Sequence, residues 1–238
     1  MKKRTILLLF LCFLLLSPVS FAEERSFDEE IIYFLLTDRF NNGDPSNDDP
    51  HGIGYDTSHP ETYHGGDFKG LLEKLDYLED LGVTTIWMTP ILDNIEFNMR
   101  DEKDSQYGYH GYWTKDFTEV DEHLKALLDG IHDRDMKLML DVVINHTGYG
   151  MKETDASDVD HFPTPEEQAV FKDMLRLEPG VGDVEGELAG LPDFKTEDPE
   201  VLGQIITWYQ ELLEKTTTDK GGIDYFRVDT AKHVLPAE

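Results

Sequence analysis

The stretch Gly222-Ile223-Asp224-Tyr225-Phe226-Arg227-Val228-Asp229 decides how the rest of the chain is read. Ile223, Tyr225, Phe226 and Val228 make it a short apolar run, which reads as a buried parallel strand delivering Arg227 and Asp229 at its carboxyl end. The two charged residues are two apart, so in an extended chain their side chains leave the same face. A guanidinium beside a carboxylate favours the ionised acid, which suits a nucleophile. It equally suits a structural ion pair that closes a strand. Thr230-Ala231-Lys232-His233 follow directly and add an ammonium and an imidazole.

Upstream, strands and helices alternate. Glu30 to Leu36 reads as a first buried strand, Val83 to Met88 as a second stopped by Thr89-Pro90, and Lys137 to His146 as a third that again ends in polar groups. Gly65-Gly66-Asp67 opens a helix with Phe68, Leu71, Leu72, Leu75, Leu78 and Leu81 at helical spacing and Gly82 as its C-cap. Leu124, Leu127, Leu128 and Ile131 mark the next. Strand, helix, strand is one right-handed unit of a parallel sheet. Behind Asp198-Pro199, the spacing of Leu202, Ile205, Ile206, Tyr209, Leu212 and Leu213 predicts a helix with those residues toward a core. Thr147 to Pro192 interrupts this alternation with a segment rich in Gly, Asp and Glu and a capping box at Thr164-Pro165-Glu166-Glu167. A connection that long is functional or a small inserted domain.

Met1 to Arg4 is basic, Ile6 to Leu16 is an unbroken apolar run, and Ser20-Phe21-Ala22 offers small residues where a signal peptidase reads. The expectation is a secretory signal peptide cleaved after Ala22, since the apolar run is too short to span a bilayer comfortably. The only cysteine, Cys12, lies inside that segment, so the mature chain relies on its core or on metal rather than on disulfides. Over 238 residues the formal net charge is −29, which argues against nucleic acid and anionic membranes as partners. It is compatible with a neutral substrate, with calcium, or with a salty or alkaline habitat.

Two loops have two readings each. Asn41 to Pro50 is dense in Asn, Asp, Gly and Pro, either as ordinary turn chemistry or as the oxygen donors a hard cation such as calcium requires. Tyr107-Gly108-Tyr109-His110-Gly111-Tyr112-Trp113 is either a packed loop or a set of rings suited to the apolar faces of sugars.

Asp141-Val142-Val143-Ile144-Asn145-His146 and Phe226 to His233 resemble the signature segments after the third and fourth strands of the alpha-amylase family of glycoside hydrolases. Leu191-Pro192-Asp193-Phe194 resembles that family's motif at the end of its inserted domain B, and Trp87, Pro90 and Tyr109 to Trp113 match as well. The resemblance runs from about Ile31 to the last residue. It implies an α/β fold, a (β/α)8 TIM barrel of which strands 1–4 are present, with domain B inserted after strand 3. The divisions are then a signal peptide at 1–22, barrel strands 1–3 at 23–146, domain B at 147–192, and helix 3 with strand 4 at 193–238.

The resemblance also implies a retaining mechanism, with Asp229 as nucleophile and Arg227, helped by Asp141, holding it ionised and aimed. His110 and His146 would bind hydroxyls of the sugar being cleaved, Tyr112 would stack beneath it, and Lys232 and His233 would line the leaving-group side. One calcium would join barrel and domain B through Asn145, Asp193 and the carbonyl of His233. A second, as in the cyclodextrin-forming and maltogenic branches, would use Asn42, Asp44, Asn47, Asp48, the carbonyl of Gly65 and Asp67. The expected protein is a secreted, calcium-dependent alpha-amylase that hydrolyses internal α-1,4-glucosidic bonds of starch and maltodextrin. Ala189 stands where cyclodextrin-forming members carry a bulky aromatic, which favours hydrolysis over cyclisation. The alternatives are a glucan transferase of the same family and a non-catalytic half barrel that binds glucan or calcium. The general acid, about 5 Å from the nucleophile, and a third carboxylate belong in the family to the fifth and seventh strands. The chain is therefore expected to be an N-terminal part that does not turn over starch alone.

Overall fold

The computed structural model describes residues 25–49, 52, 54–98, 106–152 and 163–236, so the expected signal peptide at 1–22 lies outside the described residues. Residues 25–30 are the described part of a separate unit, in which a 3-10 turn Phe27–Glu29 is closed by the Ser26 N–H donating to Glu29 Oε2 at 3.1 Å.

From Ile31 onward the order is β1 (Ile32–Leu35), a helical turn Thr37–Phe40, helices Phe68–Glu73 and Leu75–Asp80, and β2 (Thr85–Met88). Then come β3 (Asp93–Asn94), β4 (Phe97–Asn98), β5 (Gln106–Tyr107), β6 (Thr114–Asp116), helix Leu124–His132 and β7 (Lys137–Val142). Helices Pro165–Phe171, Gly182–Glu185 and Pro199–Thr216 lead to β8 (Tyr225–Val228) and a 3-10 turn Ala231–His233. β1, β2, β7 and β8 lie side by side in that order, all parallel. The small strands make two antiparallel pairs, β3 with β6 and β4 with β5.

Register places Phe34, Trp87, Met139 and Tyr225 in one row and Asp141 beside Arg227 two residues further on, hence on the same face. Leu35, Ile86, Met88 and Leu138, on the other face, are buried with Leu71, Leu75, Leu78, Leu124, Leu127, Leu128 and Ile131 of the helices. A second cluster joins Leu140 and Val142 to Trp113, Phe117, Phe171, Phe194, Val201, Ile205, Trp208 and Leu212, with Phe117 and Trp208 stacked at 4.8 Å. Gly111 lets the chain pass close to β2's end: its φ is +86°, and a Cβ there would lie 2.2 Å from the carbonyl of Pro90.

Several elements differ from the sequence reading. The helix after Asp67 is two helices, because the Lys74 N–H bonds Leu71 O three residues back and tightens the turn between them. The third strand ends at Val142, so Asn145 and His146 sit beyond it, where His146 bridges Asp193 and the Phe194 N–H bonds Asn145 O. β8 is not a fully buried strand: it is the outer strand of the sheet, and Phe226 and Val228 are each 40% exposed. On helix Pro199–Thr216 Ile205 and Leu212 are buried as expected, but the stripe continues through Val201, Trp208 and Thr216, while Ile206 is 48% exposed. Among the described residues no helix is long and apolar enough to cross a membrane.

Candidate active site

The carboxyl ends of β2, β7 and β8 meet the 107–113 loop around one carboxylate. Asp141, fully buried, receives the Tyr112 hydroxyl on Oδ2 at 2.8 Å and the Trp87 indole N–H on the same oxygen at 3.2 Å. Arg227 Nη1 donates to both of its oxygens at 3.1 Å and to Asp229 Oδ1 at 2.5 Å. One guanidinium nitrogen thus holds two carboxylates. Burial raises the pKa of Asp141, with Tyr112, Arg227 and Trp87 pulling against it. For Arg227 burial acts downward, but Asp141 and Asp229 outweigh it and its proton is held more tightly than usual. The Asp229 N–H continues the ladder by bonding Val142 O at 2.9 Å, which fixes its backbone against β7. Thr230 then turns the chain in the left-handed region at φ 47°, a costly conformation for a β-branched residue directly after the candidate nucleophile.

His110 and His146 are both neutral at ordinary pH. Burial pushes His110 down to about 4, helped by His146 and Arg39, and burial pushes His146 to about 4 although Asp229 pulls it upward. His110 Nδ1 accepts the Tyr112 N–H at 3.0 Å, which leaves Nε2 as the protonated nitrogen of the neutral ring. His146 is buried with neither ring nitrogen hydrogen-bonded, and His110 meets Tyr112 at 5.7 Å and the edge of Trp113 at 4.6 Å. A pair of buried donors beside a carboxylate and a ring face is an arrangement for hydroxylated rings. Lys232 is exposed on the 3-10 turn, and His233, half-buried, has an unpartnered Nδ1.

Oxygen-rich groups gather at two other places. Asn145 Nδ2 donates to Asp193 Oδ1 at 2.9 Å, both residues are buried, and burial followed by the nearby Glu187 raises Asp193 to about 6. A buried carboxylate met by a neutral amide fits a cation, since the cation would supply the missing positive charge. In the early loop, Asn42 Nδ2 donates to Asp48 Oδ1 at 2.6 Å while Asn42 Oδ1 is buried without a partner. A Cβ on Gly65 would fall 2.4 Å from Asp48 Oδ1, so the backbone there is drawn close to both side chains. Asn47, Asp48, Gly65 and Asp67 line one cavity of 390 Å³. Asp67, however, accepts the N–H groups of Gly43, Asp44 and Gly70, and Asp44 accepts both the N–H and the hydroxyl of Ser46. Among the described residues no three His, Cys, Asp or Glu side chains form a metal-holding group, so a cation at either place would depend on amide and carbonyl oxygens.

Sequence reasoning left two participants without a role. Trp87 shares a sheet face with Asp141, a placement that strand alternation could have given. Asp38 is a buried carboxylate just past β1 that accepts the N–H groups of His64 and Gly65. Its partners lie 26 residues on, out of reach of any local pattern.

Comparison with known proteins identifies the family. The family model for the alpha amylase catalytic domain matches residues 34–173. The beta/alpha-amylase of Paenibacillus polymyxa is 36% identical over 231 residues, 92% of this chain and 18% of its own. The cyclomaltodextrin glucanotransferase of Klebsiella oxytoca is 34% identical over 232 residues, 87% of this chain and 33% of its own. An Anoxybacillus alpha-amylase crystal structure superposes with a TM-score of 0.67 at 38% identity, covering 89% of this chain and 43% of that one. The chain spans less than half the length of each of these relatives. Matched over more than half its length by the family model, the chain belongs to the alpha-amylase family.

Proposed function

We propose that this chain carries the nucleophile side of a secreted, calcium-dependent alpha-amylase that cleaves internal α-1,4-glucosidic bonds of starch and related glucans with retention. Its four parallel strands would be the first four of a (β/α)8 barrel, with 147–192 as domain B. The observation that carries this reading is the Arg227 nitrogen shared by Asp141 and Asp229 at the strand ends. Asp229 would attack the anomeric carbon and form a glycosyl ester while the glycosidic oxygen departs. The departing oxygen takes its proton from an acid that these four strands do not carry. Neutral His110 and His146 would donate to sugar hydroxyls, Tyr112 would offer its ring face, and Lys232 and His233 would meet the leaving side. Asn145 and Asp193, with the His233 carbonyl, would hold one calcium. Asn42, Asp48 and the Gly65 carbonyl would hold a second, with Asn47 beside them and with Asp67 and Asp44 joining only by giving up N–H groups that they accept here. Calcium there would cross-link loops rather than take part in bond cleavage.

A maltosyl fluoride tests the assignment without the acid, because fluoride leaves unprotonated: the C1–F bond breaks and a C1–O bond to Asp229 forms. Mass spectrometry of digested protein should find the maltosyl group on the peptide containing Asp229 and none in Asp229→Asn. Maltotriose binding with no adduct would instead favour a non-catalytic glucan-binding protein. The relationship to a cyclomaltodextrin glucanotransferase supports transfer as the second reading. Ala189, whose carbonyl accepts the Tyr149 hydroxyl at 3.0 Å, offers only a methyl group for a glucan to wrap around, which favours hydrolysis.

A further inference from the structure

We propose that Arg39 is a positioning residue for the 107–113 loop, clamping Tyr109, and through it His110, onto the loop from Pro60 to Gly65. The proposal rests on the reading of His110 as a sugar-binding residue. Arg39 lies in the helical turn directly after β1, and each side of its guanidinium is used. Nη1 donates to Pro60 O at 2.7 Å and Nη2 donates to Thr62 O at 2.7 Å, while Nε lies 2.7 Å from Asp38 Oδ2 as an ion pair without a hydrogen bond. The flat face of the group lies 3.8 Å from the centre of the Tyr109 ring. Asp38 ties the same loop from the other side, taking the N–H groups of His64 and Gly65 on its carboxylate and that of Gly66 on its carbonyl.

Tyr109 passes this constraint on. Its ring meets the His110 ring edge-on at 5.4 Å, and His110 Nδ1 in turn holds the Tyr112 N–H. A planar cation with fixed donors can serve two carbonyls, a carboxylate and a ring at once, whereas the point charge of a lysine cannot. The groups around His110 are the rings of Tyr109, Tyr112 and Trp113, with His146 and Arg39 the nearby cations when charged. Arg39 therefore does more than brace a loop: through the Tyr109 ring it sets the placement of the His110 imidazole, whose neutral state burial chiefly secures.

Three variants of the 238-residue chain test this, Arg39→Met, Arg39→Lys and Tyr109→Leu, read by NMR titration of the His110 ring and by calorimetry with maltotriose. Arg39→Met should move the His110 titration upward and weaken maltotriose about tenfold. Arg39→Lys, which keeps the charge but not the fork, should hold the titration low without restoring affinity. Tyr109→Leu keeps both carbonyl bonds of Arg39 and should weaken maltotriose as much, which decides the matter if Arg39→Met does not fold. Wild-type titration and affinity in Arg39→Met, with only the amides of 61–65 exchanging faster, would reduce Arg39 to a loop brace and overturn the proposal. If the wild-type chain binds no maltotriose, the glucan reading falls, and the His110 and Tyr109 ring resonances decide: displaced in Arg39→Met they support the clamp, unmoved they overturn it.

Discussion

At the scale of single residues, the site is a problem of keeping charges and imidazoles in the right state without water. Asp141 is buried and would resist ionisation, yet a phenol, an indole and a guanidinium all donate to it. That leaves Arg227 with enough freedom to hold Asp229 as well. His110 poses the opposite case, being buried as a neutral ring with a value near 4 where the unfolded chain has about 6.5. Below pH 6.5 the unfolded chain binds a proton that the native state refuses until about pH 4. The stability contributed by neutral His110 is therefore complete above pH 6.5 and lost as the pH falls from there. Urea unfolding should show the wild type losing roughly 2 kcal/mol more than His110→Asn between pH 6.5 and pH 5. Equal losses in the two proteins would mean that His110 is not held neutral by the fold. The residue types of this site were legible in the sequence because strand ends concentrate them. What they touch was not, since Trp87 and Tyr112 reach Asp141 from 54 and 29 residues away.

At the scale of elements, apolar spacing found the strands and helices but not always the side they bury. Leu71, Leu75 and Leu78 stay buried on one side through the break at Lys74, so the stripe was readable although the break was not. On helix Pro199–Thr216 the sequence offers two overlapping stripes, one through Val201, Ile205, Trp208 and Leu212 and one through Leu202, Ile206, Tyr209 and Leu213. The aromatic cluster decides between them. Trp208 stacks on Phe117 and meets Phe171 edge-on, contacts among side chains 91 and 37 positions distant in a chain that no local period connects. Trp208→Ala should cost about 3–5 kcal/mol, while Ile206→Ala should stay within about 0.5 kcal/mol of wild type. Thermal or urea unfolding of the two variants measures this directly, and a costlier Ile206→Ala would put the other stripe inward.

At the scale of the whole molecule, 50 acidic residues against 21 basic ones set the terms for stability. A net charge of −29 repels itself in the compact state, so any salt should raise the midpoint of unfolding by screening, and a bound cation should raise it further by mass action. The two effects separate by concentration. Screening needs an ionic strength near 0.1 M to bring the Debye length to about 10 Å, whereas a specific site saturates far below that. After treatment with EDTA the midpoint should fall, and millimolar calcium should restore it where sodium chloride of equal ionic strength does not. At a hundredfold excess over its dissociation constant a single site adds about 2.7 kcal/mol. Asn145→Ala and Asn42→Ala then distinguish the two places, because each removes a neutral oxygen donor without changing the net charge. Each should lower the calcium response and leave the sodium chloride response alone. A calcium effect that sodium chloride reproduces in full would mean that Asn145 with Asp193, and Asn42 with Asp48, are simply hydrogen-bonded pairs in an acidic protein.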